Sequence, residues 1–168
     1  MNQADRFAEL YEETYTALLG YALRRCHDPE DAADIVAETF AVAWRRIAKV
    51  PEGDEARLWL YGVARKALAN HRRGERRHER RTAALRDQLA ASPLLEDPPP
   101  GGRLAEALAT LSEEDRELLT LVGWENLDHA QLATTLGISR NAVRVRLHRA
   151  RRRLASIMND HELEGSAL

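Results

Sequence analysis

Apolar positions along this chain recur at helical spacing almost throughout, and no segment alternates with the two-residue period of a half-buried strand. Residues 4–26 carry one broad stripe of Phe7, Leu10, Tyr11, Leu18, Leu19 and Ala22. The HDPED run then predicts a helix start. Asp28 caps it, Pro29 takes the first helical position, and Glu30 and Asp31 meet the positive end of the helix dipole. In that helix Ala32, Val36, Phe40, Ala43 and Ile47 point one way, and Asp31, Asp34, Glu38 and Arg45 point the other. KVPEGD at 49–54 is a loop, after which residues 55–71 form a third helix holding Leu58, Trp59, Leu60, Val63, Ala64 and Leu68 and running into RRGERRHERR. The pattern breaks once, at SPLLEDPPPGG, where three prolines and two glycines cannot continue a helix. The break predicts an all-α protein of two small helical domains joined by a flexible linker: a first domain over residues 1–90, a linker over 91–103, a second domain over 104–159, and an irregular tail over 160–168.

The second domain holds the most informative stretch, LDHAQLATTLGISRNAVRVRLHRARRRL. Asp128 and Gln131 have capping-box spacing, Gly137 supplies a left-handed turn residue, and Ser139 caps a new helix from Arg140. Val143, Leu147, Ala150 and Leu154 form one buried stripe on that helix, and Arg140, Asn141, Arg144, His148, Arg151 and Arg152 lie away from it. This is a helix-turn-helix whose second helix offers side chains suited to guanine and adenine edges in a major groove. Residues 139–154 contain seven arginines and no acid. A helix serving solubility alone would mix signs, because like charges four residues apart repel.

The whole-chain net charge of −2 hides this polarity. Residues 1–39 carry nine acids against three arginines, whereas residues 65–81 carry eight bases against Glu75 and Glu79. One acidic, protein-facing surface and separate basic, nucleic-acid-facing surfaces follow from that division. In the basic segment Trp59 and Tyr61 stand beside Arg65 and Lys66, with Arg72 and Arg73 beyond, and aromatics interleaved with bases suit an unstacked strand. Cys26 is the lone cysteine, which excludes an internal disulfide and a cysteine-based zinc site and reads as a small buried hydrophobe. His71 and His78 read as polar surface without a carboxylate cluster around them, so neither a metal nor a cofactor is expected. No run approaches the length of a membrane span, which predicts a cytoplasmic protein.

Two other classes fit parts of the pattern. A helix-turn-helix repressor or activator that binds a ligand in its N-terminal domain usually dimerises to read palindromes, yet little chain follows the recognition helix to form an interface. A carboxylate metal hydrolase built on Asp31, Asp34 and Glu38 would require matching acids from a second helix.

Three segments in order carry a family resemblance. DPEDAADIVAETFAVAWRRI resembles the polymerase-binding helix of the extracytoplasmic-function (ECF) sigma factors. ARLWLYGVARKALANHRRGERR is similar to their promoter-melting segment, and ALATLSEEDRELLTLVGWENLDHAQLATTLGISRNAVRVRLHRARRRL to their C-terminal domain. The resemblance implies a non-enzymatic, dissociable subunit, monomeric when free, that gives core RNA polymerase its promoter specificity. Asp31, Asp34 and Glu38 would dock on the coiled coil of the largest polymerase subunit, and a second contact would be made to the flap. Trp59, Tyr61, Arg65, Lys66, Arg72 and Arg73 would meet melted minus-ten promoter DNA, and Arg140, Asn141, Arg144, His148, Arg151 and Arg152 the minus-thirty-five duplex. Glu96 and Asp97 would give the linker its negative charge, and an anti-sigma factor would hold the protein silent. Ala33, Ala37, Lys66, Ala142 and Asn126 depart from the family pattern; asparagine tolerates the left-handed conformation that the usual glycine supplies at position 126.

Overall fold

The computed structural model describes residues 1–89 and 102–165, with side chains described to residue 83 in the first part and to residue 160 in the second. Among the described residues there are helices and no strands. The chain divides into two compact units, Met1–Pro93 and Leu94–Leu168. The SPLLEDPPPG stretch, with Glu96 and Asp97, lies outside the described residues.

The first unit is a bundle of α1 (Gln3–Leu23), α2 (Pro29–Arg45) and α3 (Asp54–Leu89), with a single 3-10 turn at Ile47–Lys49. Asp28 caps α2 by accepting from the Glu30 amide, and Pro29 follows it as the sequence predicts. Leu10, Leu18, Tyr21 and Ala22 of α1 meet the complete predicted stripe, Ala32, Val36, Phe40 and Ala43 of α2 with Ile47 of the 3-10 turn, and Leu58, Leu60, Ala64 and Leu68 of α3. Two hydroxyls in this core, Thr14 and Thr39, donate to the carbonyls of Leu10 and Ile35 one turn back, which satisfies them without a distant partner. Tyr11 departs from the expected stripe. Its ring lies 4.7 Å from that of Phe40, but 41% of its surface stays exposed.

Helix α3 continues through the whole RRGERRHERR run. Elongating an existing helix is far easier than nucleating one, and arginine is a good helix former, so the segment needs no apolar face.

The second unit comprises α4 (Gly102–Thr110), α5 (Glu113–Gly123), α6 (His129–Leu136) and α7 (Arg140–Gly165). Its core gathers Ala107, Leu111, Leu118, Leu121, Leu127, Leu132, Val143, Leu147 and Ala150. Two arginines tie it together in ways that local periodicity does not show. Arg116 donates to the carbonyls of Leu108, Ala109 and Leu111, closing the end of α4. Arg153 donates to Asp115 at 2.6 Å, and the Asp115 side chain is only 10% exposed, so the pair clamps α7 to the first turn of α5. Arg153 itself is 59% exposed, which lowers the value of the pair below that of a fully buried one. Asp115→Ala should therefore cost about 1 kcal/mol, through loss of the Arg153 pair, because the freed guanidinium is open to solvent. Urea unfolding followed by circular dichroism measures this, and an unchanged midpoint would show that the clamp adds nothing to stability.

The tail expectation is corrected. Helix α7 runs to Gly165 instead of ending near Asn159, because DHELE contains no proline and elongation from a formed helix is cheap even without an apolar stripe.

Candidate functional site

The helix-turn-helix forms as its caps require. Asp128 accepts from the Gln131 amide at 2.8 Å, and the Gln131 side chain accepts from the Asp128 amide at 3.0 Å. Gly137 adopts φ 67°, its amide donates to the Ala133 carbonyl, and Ser139 Oγ accepts from the Ala142 amide at 3.1 Å. Asn126 takes φ 54°, the left-handed conformation expected of it in place of glycine.

On α7 Val143, Leu147 and Ala150 face the core, and Arg140, Asn141, Arg144, His148, Arg151 and Arg152 are all exposed. The six are thus presented together on one helix. Two features were not foreseen. Arg144 donates to Asn141 Oδ1 at 2.8 Å, so the guanidinium is held over the first turn of the helix before any ligand arrives. Val145, 36% exposed, sits among these polar groups and offers a methyl surface of the kind that meets a thymine methyl. Both follow from helix geometry: positions 141 and 144 are three apart, and 145 follows four after 141.

On α2, Asp34 and Glu38 are exposed with Ala33, Ala37 and Ala41 beside them, and Asp31 is half-buried at the helix start. The exposed row continues to Trp44, whose ring packs edge-on against Phe7 at 5.2 Å. The acids therefore border a shallow surface of small side chains.

The α3 residues do not form one surface. Trp59, Lys66 and Arg73 recur every seven residues on the outward side; Trp59 is half-buried and the other two are exposed. Arg73 bonds Asn70 on the same side. Tyr61 is in the core at 4% exposure, stacked on Tyr21 with ring centroids 5.2 Å apart. Its expected place on the exposed face is corrected: positions 58, 61, 64 and 68 share one inward stripe, a spacing visible in the sequence. Arg65 and Arg72 are half-buried. Arg72 donates to the Arg25 carbonyl at 3.3 Å, and the Arg25 guanidinium lies over the Tyr21 ring at 3.8 Å. Arg72 thus ties α3 to the end of α1.

The KVPEGD loop borders a cavity of about 320 Å³ against α1, lined by Arg6, Leu10, Val50, Pro51 and Glu52 among others. Arg6 donates to the Val50 carbonyl and fixes the loop.

His71 is also corrected. Two carboxylates, from Asp31 and Glu75, stand beside its ring, which a reading along one helix does not reveal because Asp31 comes from another.

A three-helix unit bearing an acidic row, followed by a separate basic helix-turn-helix unit, is the arrangement of the sigma-70 class, and the family models agree: sigma-70 region 2 matches residues 10–78 and sigma-70 region 4 matches residues 101–154. The chain is 35% identical over 152 residues to the ECF RNA polymerase sigma factor SigL of Mycobacterium tuberculosis, covering 86% of this chain and 84% of that protein. It is 27% identical over 164 residues to the RNA polymerase sigma factor YlaC of Bacillus subtilis, covering 94% and 95%. The sigma factor RpoE of Bartonella quintana, solved in complex with the anti-sigma factor NepR, shares the fold with a TM-score of 0.60 at 23% identity, covering 91% of this chain and 96% of that one. The chain belongs to the ECF RNA polymerase sigma factor family.

Among the described residues no helix is long and apolar enough to cross a membrane.

Proposed function

We propose that this chain is an alternative sigma factor that binds core RNA polymerase and directs initiation at a specific set of promoters, acting in the cytoplasm under the control of an anti-sigma factor. The observation that carries the reading is the exposed, capped recognition helix, on which Arg140, Asn141, Arg144, His148, Arg151 and Arg152 face solvent together. These residues meet the minus-thirty-five duplex. Asp31, Asp34 and Glu38 dock on the coiled coil of the largest polymerase subunit, with the second unit on the flap. Trp59, Lys66 and Arg73 form the outward stripe that meets melted minus-ten DNA, and Arg65 and Arg72 contribute positive potential behind it. No step requires a cofactor or a chemical reaction by the chain itself. Run-off transcription with purified core polymerase on a promoter library tests this. The expected result is transcription from a sharply defined subset that core alone ignores; transcription no different from that of core alone would overturn it.

The loop at 49–54 supplies a separate test of strand opening. Holding an unstacked base gains about 1–3 kcal/mol per ring contact, and extruding one costs a few kcal/mol. Loss of a shaped pocket should therefore be felt in melting before it is felt in duplex binding. In holoenzyme, Pro51→Ala with Glu52→Ala should lower permanganate reactivity at the start site and leave minus-thirty-five protection intact. Equal loss of both signals would assign the loop to folding or docking.

A further inference from the structure

Where α3 crosses the start of α2, three ligand-type side chains converge that neither the DNA surfaces nor the bundle core requires together. Nε2 of His71 lies 3.4 Å from Oδ1 of Asp31 and 3.4 Å from Oε1 of Glu75. The three ligand atoms all lie within 4.8 Å of one another. Nε2 is buried and makes no hydrogen bond, although both carboxylates stand beside it. The side chains as a whole keep access to solvent, at 27% exposure for His71, 29% for Asp31 and 50% for Glu75.

A charge-assisted bond and a shared metal ion call for different spacings in this cluster. A charge-assisted bond from His71 to either carboxylate would draw the atoms to about 2.7–2.9 Å with the N–H aimed at the oxygen. Zinc bonds histidine nitrogen at about 2.0–2.1 Å and carboxylate oxygen at about 2.0–2.2 Å, which puts neighbouring tetrahedral ligands about 3.3–3.5 Å apart. Both distances at His71 have the second value. His71 and Glu75 are four apart on one helix, so they face the same point, and Asp31 reaches it from a different helix. Glu75, the most exposed of the three, is free of core packing and can close the remaining edge. An imidazole with two carboxylates is a borderline donor set that suits zinc better than magnesium or calcium, which take oxygen alone.

We infer that Asp31, His71 and Glu75 form a binding site for a divalent transition-metal ion of the zinc class, which pins the first turn of α2 to α3 and leaves a fourth position to water. Of the neighbouring cations, Arg72 donates to the Arg25 carbonyl and the Arg25 guanidinium lies over the Tyr21 ring. Cys26 lies near the cluster but outside its ligand set. Burial first, and then the charge of Asp31, raises its thiol pKa above the ordinary value. Asp31 is also the first acid of the proposed docking row, and a bound ion would withdraw its charge from that row. That consequence rests on the docking reading, whereas metal binding by the free chain does not.

Calorimetric titration of the full-length, chelator-treated protein with zinc chloride tests the site, with thermal unfolding in parallel. The expected result is one saturable site of roughly micromolar affinity and a melting temperature raised by several degrees, since a ligand that binds only the folded state stabilises it. His71→Ala should weaken binding by about tenfold or more, and so should the shape-preserving Asp31→Asn and Glu75→Gln, with far-UV circular dichroism retained. Should His71→Ala fail to fold, the two shape-preserving variants carry the test. His78→Ala and Cys26→Ser should bind as the parent does, and magnesium chloride should give no saturable heat. Three outcomes overturn the inference: no saturable zinc binding at about 100 μM, far above the affinity a three-ligand site should reach; affinity unchanged in all three ligand variants; or loss in Cys26→Ser equal to that in the ligand variants, which would put the ion elsewhere.

Discussion

Reversing two charges on α2, Asp34→Arg with Glu38→Arg, is expected to abolish co-purification with core RNA polymerase while leaving the protein folded. Both side chains are exposed and lie opposite Ile35, Val36, Thr39 and Phe40, which carry the packing of the helix. The Asp28 cap and the Pro29 start are untouched. Two arginines at i,i+4 repel by only a few tenths of a kcal/mol on a solvated helix, so far-UV circular dichroism should not change. At an interface the sum is different. Like charges placed against a complementary surface cost several kcal/mol, and affinity falls about tenfold for each 1.4 kcal/mol. Because Ala33, Ala37 and Ala41 leave the row shallow, few other contacts are available to offset that loss. Affinity capture on immobilised core, at low and physiological salt, measures it. A double variant that binds core with undiminished affinity would remove α2 from the docking surface and leave the proposed promoter-reading role of α7 untouched.

How much of this was legible in the sequence depends on the range of the interaction. Caps at Asp28, Asp128 and Ser139, the left-handed turns at Gly137 and Asn126, and the α2 stripe are set by neighbours within four residues, and each appears as the pattern predicts. The failures involve partners far apart in the chain. Asp115 with Arg153, and Asp31 with His71, join separate helices, and no periodicity along one helix encodes such a meeting. Arg116 is intermediate, reaching back across a turn to close α4. Tyr61 is a different kind of miss. Its spacing from Leu58, Ala64 and Leu68 placed it inward, but its neighbours Arg65 and Lys66 drew it toward a surface role. Tyrosine is amphipathic, so composition around it is a weaker guide than its register. The same register argument, applied to Trp59, Lys66 and Arg73, recovers the outward stripe that composition alone blurred.

On α7, Arg144→Ala and Arg152→Ala should fail in different ways if, as proposed, one position reads bases and the other holds phosphate. The N-terminal end of a recognition helix is the part that enters the major groove, and Arg140, Asn141 and Arg144 occupy that end. Arg152 follows about two turns after Arg144 on the same helix, and in the proposed docking it meets the backbone of the duplex. A base-edge contact is worth about 1–3 kcal/mol of discrimination, whereas a phosphate contact is blind to sequence and weakens with salt. Arg144→Ala should therefore flatten preference at one or two positions of the minus-thirty-five element. Arg152→Ala should weaken all promoters alike and lower the salt slope by about one neutralised charge. The Arg144–Asn141 bond adds a third expectation. Asn141→Ala should loosen discrimination at the position Arg144 reads as well as at its own, because a guanidinium without its tether loses more rotamer freedom on binding. Promoter-library selection at two salt concentrations, run on holoenzyme with each variant, separates these outcomes. If Arg144→Ala weakens every sequence equally, its guanidinium lies on the backbone and the helix docks in another orientation. If Asn141→Ala leaves the Arg144 position as sharply read as before, the tether is a feature of the free protein that DNA binding dissolves.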